Sequence, residues 1–321
     1  MFQKLMNNFY YGKSGKGDFT KDDLPTSRKQ LFWEMLRIRF AGLFKLNLIY
    51  VVVFLPMIYF LTNAALSALS ALSDLVVDGA VTADAMANFQ NVMQGTIFAT
   101  CILMIPCILI TGPSTAGIMY VCRNWARDEH AFVWSDFKDA AKANWKQALG
   151  ISAITSVVPV LVYICWTFYG SMSSQSSMLF VLPQVLVLVM GICWMMATIY
   201  AYYLMITYKL TFKQLIRNSL LLAVGRLPQS LIIGVLGLLP FLIAFAVIYF
   251  FSAVEWVILI LIAYYLLLGL ALHQFIAASF INGICDKYIN PNIEGAKVNM
   301  GLNTDPLENY EVEDEEEDGE K

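Results

Sequence analysis

The distribution of lysine and arginine constrains the fold more than any other feature of the chain. No basic residue occurs in 46–122, 147–208 or 227–286, although the chain contains 21 of them. Each of these stretches is mostly apolar and is long enough for two membrane crossings. Basic residues concentrate on the cytoplasmic side of membrane proteins. The pattern therefore predicts an all-α transmembrane bundle, made of three helical hairpins that begin and end at one basic, cytoplasmic face.

The apolar runs predict six crossings, with both ends of the chain in the cytoplasm. Hydrophobic residues make up 59% of the chain and charged residues 14%, which excludes an ordinary soluble domain. Leu66, Leu69 and Leu72 continue the helical spacing of the first run, so we expect its helix to extend outside the membrane toward Asp74. The predicted crossings are 41–62, 96–121, 147–169, 179–207, 230–251 and 254–281.

A short amphipathic stretch precedes each predicted hairpin. In each stretch an aromatic residue is followed five positions later by a basic residue, and a proline falls inside the next crossing. We expect these stretches to form helices along the cytoplasmic membrane surface, with their basic residues on anionic lipid headgroups. Docking of a soluble partner is the alternative. The three instances are Phe32 with Arg37 and Pro56, Phe137 with Lys142 and Pro159, and Phe212 with Arg217 and Pro240.

A dense group of charged residues follows the second predicted crossing. Arg123, Arg127, Asp128 and Glu129 lie within seven positions, and Phe137 lies in the amphipathic stretch that comes next. We interpret these five residues as a candidate surface for a cytoplasmic partner protein. The alternative is a solvated connector, whose ion pairs each contribute little to stability.

The second crossing contains an unusual backbone segment, Thr111, Gly112, Pro113, Ser114 and Thr115. Proline removes a backbone hydrogen bond and glycine tolerates a break, so we expect the helix to kink or unwind here. Freed carbonyls and hydroxyls in such a segment can bind a polar solute. The competing interpretation is a packing kink, in which small residues admit a neighbouring helix and hydroxyl groups satisfy the freed carbonyls.

Ionisable side chains are almost absent from the predicted crossings, which argues against a proton or ion pump. His273, beside Gln274, is the exception that lies deepest. These two residues are a candidate intramembrane polar site. The alternative is a neutral histidine that is hydrogen-bonded between helices or faces the inner interface.

No catalytic or metal-binding motif is recognisable, so we expect a protein that is not an enzyme and has no cofactor or nucleic-acid partner. The segment 12–17 resembles a phosphate-binding loop in composition only, because a Walker A sequence requires glycine where this chain has Asn7. Cysteine and histidine do not occur at zinc-binding spacing.

Composition divides the chain into three regions. Residues 1–25 are expected to form a flexible cytoplasmic start, and 26–285 the six-helix transmembrane domain. Residues 286–321 are expected to form a disordered cytoplasmic tail, because ten acidic residues between Asp305 and Glu320 leave little apolar surface to offset the entropy of ordering.

Several segments resemble the YesL-like bacterial membrane proteins, a domain family of unknown function. The resemblance covers about 30–285 and is most specific from Gly112 to Phe137. It implies a location in the bacterial cytoplasmic membrane and a role in or beside the uptake of sugars or glycans, and it supplies no catalytic residues. The segments that carry it are 112–117, 123–130, 134–137, 45–48 and 144–147.

Two functional hypotheses follow, with a membrane enzyme as a less favoured third. The leading one is a non-enzymatic accessory protein that contacts a sugar transporter or sensor subunit through its inner face. The rival is a facilitative carrier for a small neutral solute such as a sugar. Its path would be lined by the kinked second helix and by Asn47, Thr111, Ser114, Thr115, Gln184, Tyr200, Tyr202 and Tyr203.

The predicted topology has a direct test. Because the basic face should be cytoplasmic, Gln90→Cys should react with a membrane-impermeant maleimide on intact cells, whereas Asn144→Cys should react only after lysis. The unsubstituted chain controls for the six native cysteines. The opposite labelling pattern would refute the orientation.

Overall fold

The computed structural model describes residues 24–75, 81–251 and 254–303. Within these residues the chain is helical and contains no strand. A π-helical turn, Tyr265–Gly269, joins the last two helices, and single 3-10 turns occur at Met178–Phe180 and Asn290–Asn292. The helices are α1 (Arg28–Ser73), α2 (Ala83–Ala126), α3 (Val133–Gln175), α4 (Val181–Thr207), α5 (Phe212–Gly225), α6 (Leu227–Phe251), α7 (Val254–Tyr264) and α8 (Leu270–Tyr288).

Six helical segments are long and apolar enough to cross a membrane. They are α1, α2, α3, α4 with its preceding 3-10 turn, α6, and the continuous run from α7 through α8. The prediction of an all-α protein with six crossings is confirmed for the described residues. The arrangement as three hairpins and the direction in which the bundle faces remain predictions.

The helices are much longer than the apolar runs that predicted them. α1 contains 46 residues, which corresponds to about 69 Å at the usual rise per residue. A hydrocarbon core needs only about 20 residues. No glycine or proline interrupts either flank of the first apolar run, so the helix continues at both ends. It ends at Ser73 with Asp74 as its C-cap, as the leucine spacing predicted.

The amphipathic stretches do not all form separate helices, in contrast to the prediction. The first two are the opening turns of α1 and α3, because their sequences run into the crossings without a helix breaker. Only the third forms its own helix, α5, which begins with a capping box between Thr211 and Gln214 and ends at Gly225. Their placement along a membrane surface remains a prediction.

The tightest packing lies toward one end of the bundle, which we call the basic end because it carries Arg28, Arg123 and Arg226. Trp125 and Phe275 are fully buried there, in a core shared by α1, α2, α4 and α8. Elsewhere many large apolar side chains are exposed, as is typical of helix faces that contact lipid.

The predicted domain boundaries shift at the C-terminal side. Residues 286–303 were assigned to the tail, but α8 continues to Tyr288 and the chain after it packs against the start of α1. The backbone N–H of Asn303 donates to the Pro25 carbonyl over 3.0 Å, and Arg28 donates to Asn299 Oδ1 over 2.6 Å. The acidic segment 304–321 and the predicted flexible start, 1–23, lie outside the described residues.

Candidate functional site

The segment that was expected to kink or unwind forms a close contact between α2 and α3. A Cβ atom added to Gly112 would lie 2.6 Å from the carbonyl oxygen of Ala148. One added to Gly117 would lie 2.6 Å from the carbonyl oxygen of Phe137. Glycine is therefore required at both positions, because any side chain would force the two backbones apart. We call this contact the α2–α3 seam. The helix does not unwind, since residues 83–126 are continuously helical.

The backbone group that Pro113 leaves unpaired is satisfied across the seam. Proline has no N–H, so the carbonyl of Leu109, four residues earlier, loses its helical partner. The Ser152 hydroxyl on α3 lies 3.0 Å from that carbonyl and donates to it in preference to the Leu149 carbonyl of its own helix, at 3.2 Å. This arrangement agrees with the alternative prediction of a packing kink, in which a hydroxyl group satisfies the carbonyl that proline leaves free.

The two threonine hydroxyls of the segment are also used within the protein. Thr111 Oγ1 donates to the Ile108 carbonyl over 2.7 Å, and Thr115 Oγ1 donates to the Thr111 carbonyl over 2.8 Å. The Tyr50 hydroxyl lies 2.8 Å from Thr115 Oγ1 and is its donor, because the threonine hydrogen is already committed. Ser114 is half-buried.

The predicted partner surface divides into buried and accessible residues. Arg127 is only 7% exposed and Phe137 only 8%, because Phe137 packs over Gly117 at the seam. Arg127 Nε lies 3.3 Å from Glu129 Oε1, within ion-pair distance but without the alignment of a hydrogen bond. These two of the five predicted residues are therefore mostly buried within the protein. Arg123 is half-buried and donates to Asn124 Oδ1 over 3.2 Å.

Asp128 remains accessible at the turn after α2. It has a φ of 57°, a left-handed conformation that aspartate tolerates better than most residues. Partial desolvation raises the pKa of its carboxyl group, and the nearby charge of Arg39 opposes that shift. Glu129 is half-buried beside it.

A buried polar network, which the sequence analysis missed, ties the ends of three helices together at the basic end. Arg28 Nη2 donates to Asp286 Oδ2 over 2.9 Å, and the side-chain amide of Asn290 donates to the other carboxylate oxygen. The Tyr208 hydroxyl donates to Asn290 Oδ1 over 2.6 Å. Burial raises the pKa of the Tyr208 phenol, and the Asp286 charge raises it further, so Tyr208 stays a donor. The partners of the Arg28–Asp286 and Tyr208–Asn290 bonds lie more than 80 positions apart, so no local spacing indicates these two pairs.

An exposed aromatic and basic groove lies beside the seam, at the start of α3. Trp134 is 62% exposed and Trp145 is 49% exposed, and the lysines Lys138 and Lys142 stand between them on the same helix. Pro113 and Phe137 also line it. We call it the Trp134–Trp145 groove.

Asn47, which the carrier hypothesis placed on a solute path, instead holds the π-helical turn. Its side chain is fully buried and donates to the carbonyls of Tyr265 and Leu266, over 3.0 and 2.8 Å. Its oxygen accepts from the backbone N–H of Ala271 over 2.9 Å. A π-helical turn disturbs the usual backbone hydrogen bonds of a helix. The buried Asn47 amide pairs with three backbone groups in or next to the turn and so stabilises it.

His273 and Gln274 follow that turn and line a cavity of about 750 Å³ between α1, α3, α4, α6 and α8. The remaining lining is mostly apolar. His273 Nδ1 and Gln274 Oε1 are buried, and neither has a hydrogen-bond partner among the residues that the structure describes. We call this space the intramembrane cavity. Its lining includes residues of a π-helical turn, a feature that is frequent at functional sites, and two residues with unsatisfied polar atoms.

Part of this chain is similar to one known family. A family model described as "Protein of unknown function, DUF624" matches residues 40–166. The matched region runs from α1 into α3 and so contains the α2–α3 seam and the Trp134–Trp145 groove. No curated protein and no solved structure matches the chain.

The role of Ser152 can be tested by a double-mutant cycle. Ser152→Ala should lower the free energy of unfolding by about 1 kcal/mol, because it leaves the Leu109 carbonyl unpaired. In a Pro113→Ala background the same change should cost close to nothing, because alanine in place of the proline supplies the missing N–H. Unfolding in detergent measures both.

Ser171→Ala is the matched control for this cycle, since Ser171 is exposed on α3 and donates only to its own helix, at Phe168. An equal cost of Ser152→Ala in both backgrounds would contradict the assignment.

Proposed function

We propose that the protein is a non-enzymatic accessory subunit of a sugar-uptake or sugar-sensing system in a bacterial plasma membrane. In this proposal its basic end faces the cytoplasm, and the Trp134–Trp145 groove binds a cytoplasmic segment of a transporter or sensor. The groove suits a partner segment with apolar and acidic side chains, because two lysines lie there between two exposed tryptophans.

The observation that carries the proposal is how the polar residues in the crossings are used. Asn47, Thr115 and Tyr200 were among the side chains expected to line a carrier path. Asn47 holds the π-helical turn, Thr115 pairs with Tyr50, and the Tyr200 hydroxyl lies 2.9 Å from Ser230 Oγ. A solute that bound here would first have to break these hydrogen bonds. Its own contacts would then have to offset the cost of leaving the buried groups unpaired. The arrangement supports a scaffold more than a polar channel.

The link to carbohydrates has a narrower basis. It rests on the resemblance of 112–137 to the YesL-like proteins, which implies a role in or beside sugar uptake. That segment contains the α2 side of the seam, with Gly112 and Gly117, and also Trp134 and Phe137 of the groove. Part of the proposed docking surface is therefore formed by residues that carry the resemblance.

A facilitative carrier for a neutral solute is the second candidate, and the intramembrane cavity is the observation in its favour. The cavity volume of about 750 Å³ would accommodate a small solute, but its lining is mostly apolar. A sugar would lose its hydration there with few groups to replace it.

Recovery of native complexes tests the accessory proposal. The intact protein is extracted from its own membrane in a mild detergent, and co-purifying proteins are quantified by mass spectrometry. We expect a stoichiometric sugar transporter or sensor subunit. The double variant Trp134→Ala, Trp145→Ala should reduce its recovery at least tenfold, because aromatic anchors contribute much of the binding energy of an interface.

Trp256→Ala is the matched control, because Trp256 is also highly exposed but lies on α7, outside the groove. Retention of anionic lipid without any protein partner would identify the groove as a lipid anchor and contradict the proposal. Sugar flux by the purified protein alone in vesicles would favour the carrier.

A further inference from the structure

We propose that the intramembrane cavity is a binding site for an uncharged lipid that carries a hydroxyl group, such as a long-chain alcohol. This inference does not depend on the accessory role. It rests on the size of the cavity, its lining, and two polar atoms that no protein group satisfies.

The cavity has the dimensions and composition of a ligand site. Its volume of about 750 Å³ falls within the range of about 300–1,000 Å³ that is usual for small-molecule pockets. Such pockets are mostly apolar and contain a few polar groups that orient the ligand. None of the described residues that line this one is Asp, Glu, Lys or Arg. A charged headgroup would have no counter-charge there, so the ligand is neutral.

The position of the cavity points to a ligand that is dissolved in the membrane. Its walls come from helices that are long and apolar enough to cross a membrane, and it is only partly enclosed. Leu188 and Met195 on α4 and Leu231 on α6 present hydrocarbon to it. A molecule with a long apolar body can enter between the helices and does not have to leave a low-polarity environment.

The polar atoms define the headgroup. Gln274 Oε1 accepts hydrogen bonds only, so its partner must carry a donor. His273 Nδ1 is a donor or an acceptor according to the tautomer. A hydroxyl group is small and neutral, and it donates one hydrogen while accepting others, so it can serve either atom. Both atoms are buried, so a ligand in the cavity pairs with them only after a small rotation of each side chain. Such pairing recovers the free energy that leaving them unpaired in an apolar site costs.

The surrounding backbone keeps these atoms in place. A Cβ atom on Gly237 would lie 2.7 Å from His273 Cε1, so the glycine on α6 makes room for the imidazole. Gly269 ends the π-helical turn against the ring of Tyr264, and Asn47 holds that turn from α1. Three separate elements therefore shape one wall of the cavity around His273.

Photolabelling of the full chain in phosphatidylcholine nanodiscs tests the proposal. The probe is hexadecanol with a diazirine in the middle of its chain, and the comparison probe is its methyl ether, which lacks the donor hydrogen. We expect saturable labelling of α4 and α6 segments that line the cavity. The ether, and the alcohol with Gln274→Leu, should each require about fivefold more probe, as loss of one hydrogen bond in a membrane implies.

A matched pair of glycine substitutions tests occupancy itself. A side chain at Gly234, which lines the cavity, meets no atom within 4 Å at its Cβ position, so Gly234→Phe should fill the space and abolish labelling. Gly95 on α2 is equally open but lies outside the cavity, so Gly95→Phe should label like the wild type.

Two outcomes would overturn the inference. Labelling that does not saturate, or that Gly234→Phe leaves unchanged, would mean that the cavity holds ordinary bilayer chains. Saturable labelling with equal affinity for alcohol and ether would mean that the site does not recognise a hydroxyl. The ether comparison uses the wild-type protein, so it decides the question even if Gln274→Leu does not fold.

Discussion

The backbone contact between α2 and α3 is the constraint on which the rest of the structure depends. Lipid chains are as apolar as leucine, so helices in a membrane associate through close packing and hydrogen bonds more than through a hydrophobic driving force. Gly112 and Gly117 allow that approach, and Ser152 satisfies the carbonyl that Pro113 frees. The contact also determines where α3 begins. Phe137 packs over Gly117, and the helix that it anchors presents Trp134 and Trp145 on an adjacent, accessible side.

Several polar side chains in the crossings serve the backbone of a neighbouring helix, whereas most serine and threonine hydroxyls bond within their own helix. Asn47 holds the π-helical turn, and Ser152 closes the gap at Pro113. At the basic end the Arg28–Asp286 pair draws the C-terminal segment onto α1. His273 and Gln274 contrast with this pattern, because each has a buried atom without a protein partner. That contrast is the reason for separating a scaffold function at the basic end from a ligand site within the crossings.

Hydropathy and the spacing of basic residues were sufficient to predict six crossings, because each property is determined locally. The same signals underestimated the lengths of the helices. Hydropathy identifies only the part of a helix that lies in the hydrocarbon core, and it does not show where the helix ends. Hydrogen bonds between segments that are distant in sequence could not be predicted. The bond from Ser152 to Leu109 depends on the register of two helices, and the contact of Asn47 with Tyr265 joins residues 218 positions apart. Arg127 and Phe137 were predicted to be accessible from charge and amphipathic spacing. Neither property shows whether another helix packs over a residue and buries it.

The stability of a single pair of alanine variants tests the central role of the seam most directly. Gly112→Ala should lower the free energy of unfolding by about 1–3 kcal/mol, because the added methyl group meets the backbone of Ala148 and neither helix can move without losing contacts. Gly95→Ala, on the same helix with open space around it, should be neutral or slightly stabilising, since alanine favours a helix more than glycine does. Thermal unfolding of both purified proteins in the same detergent gives the comparison. Equal stability of the two variants would contradict the account.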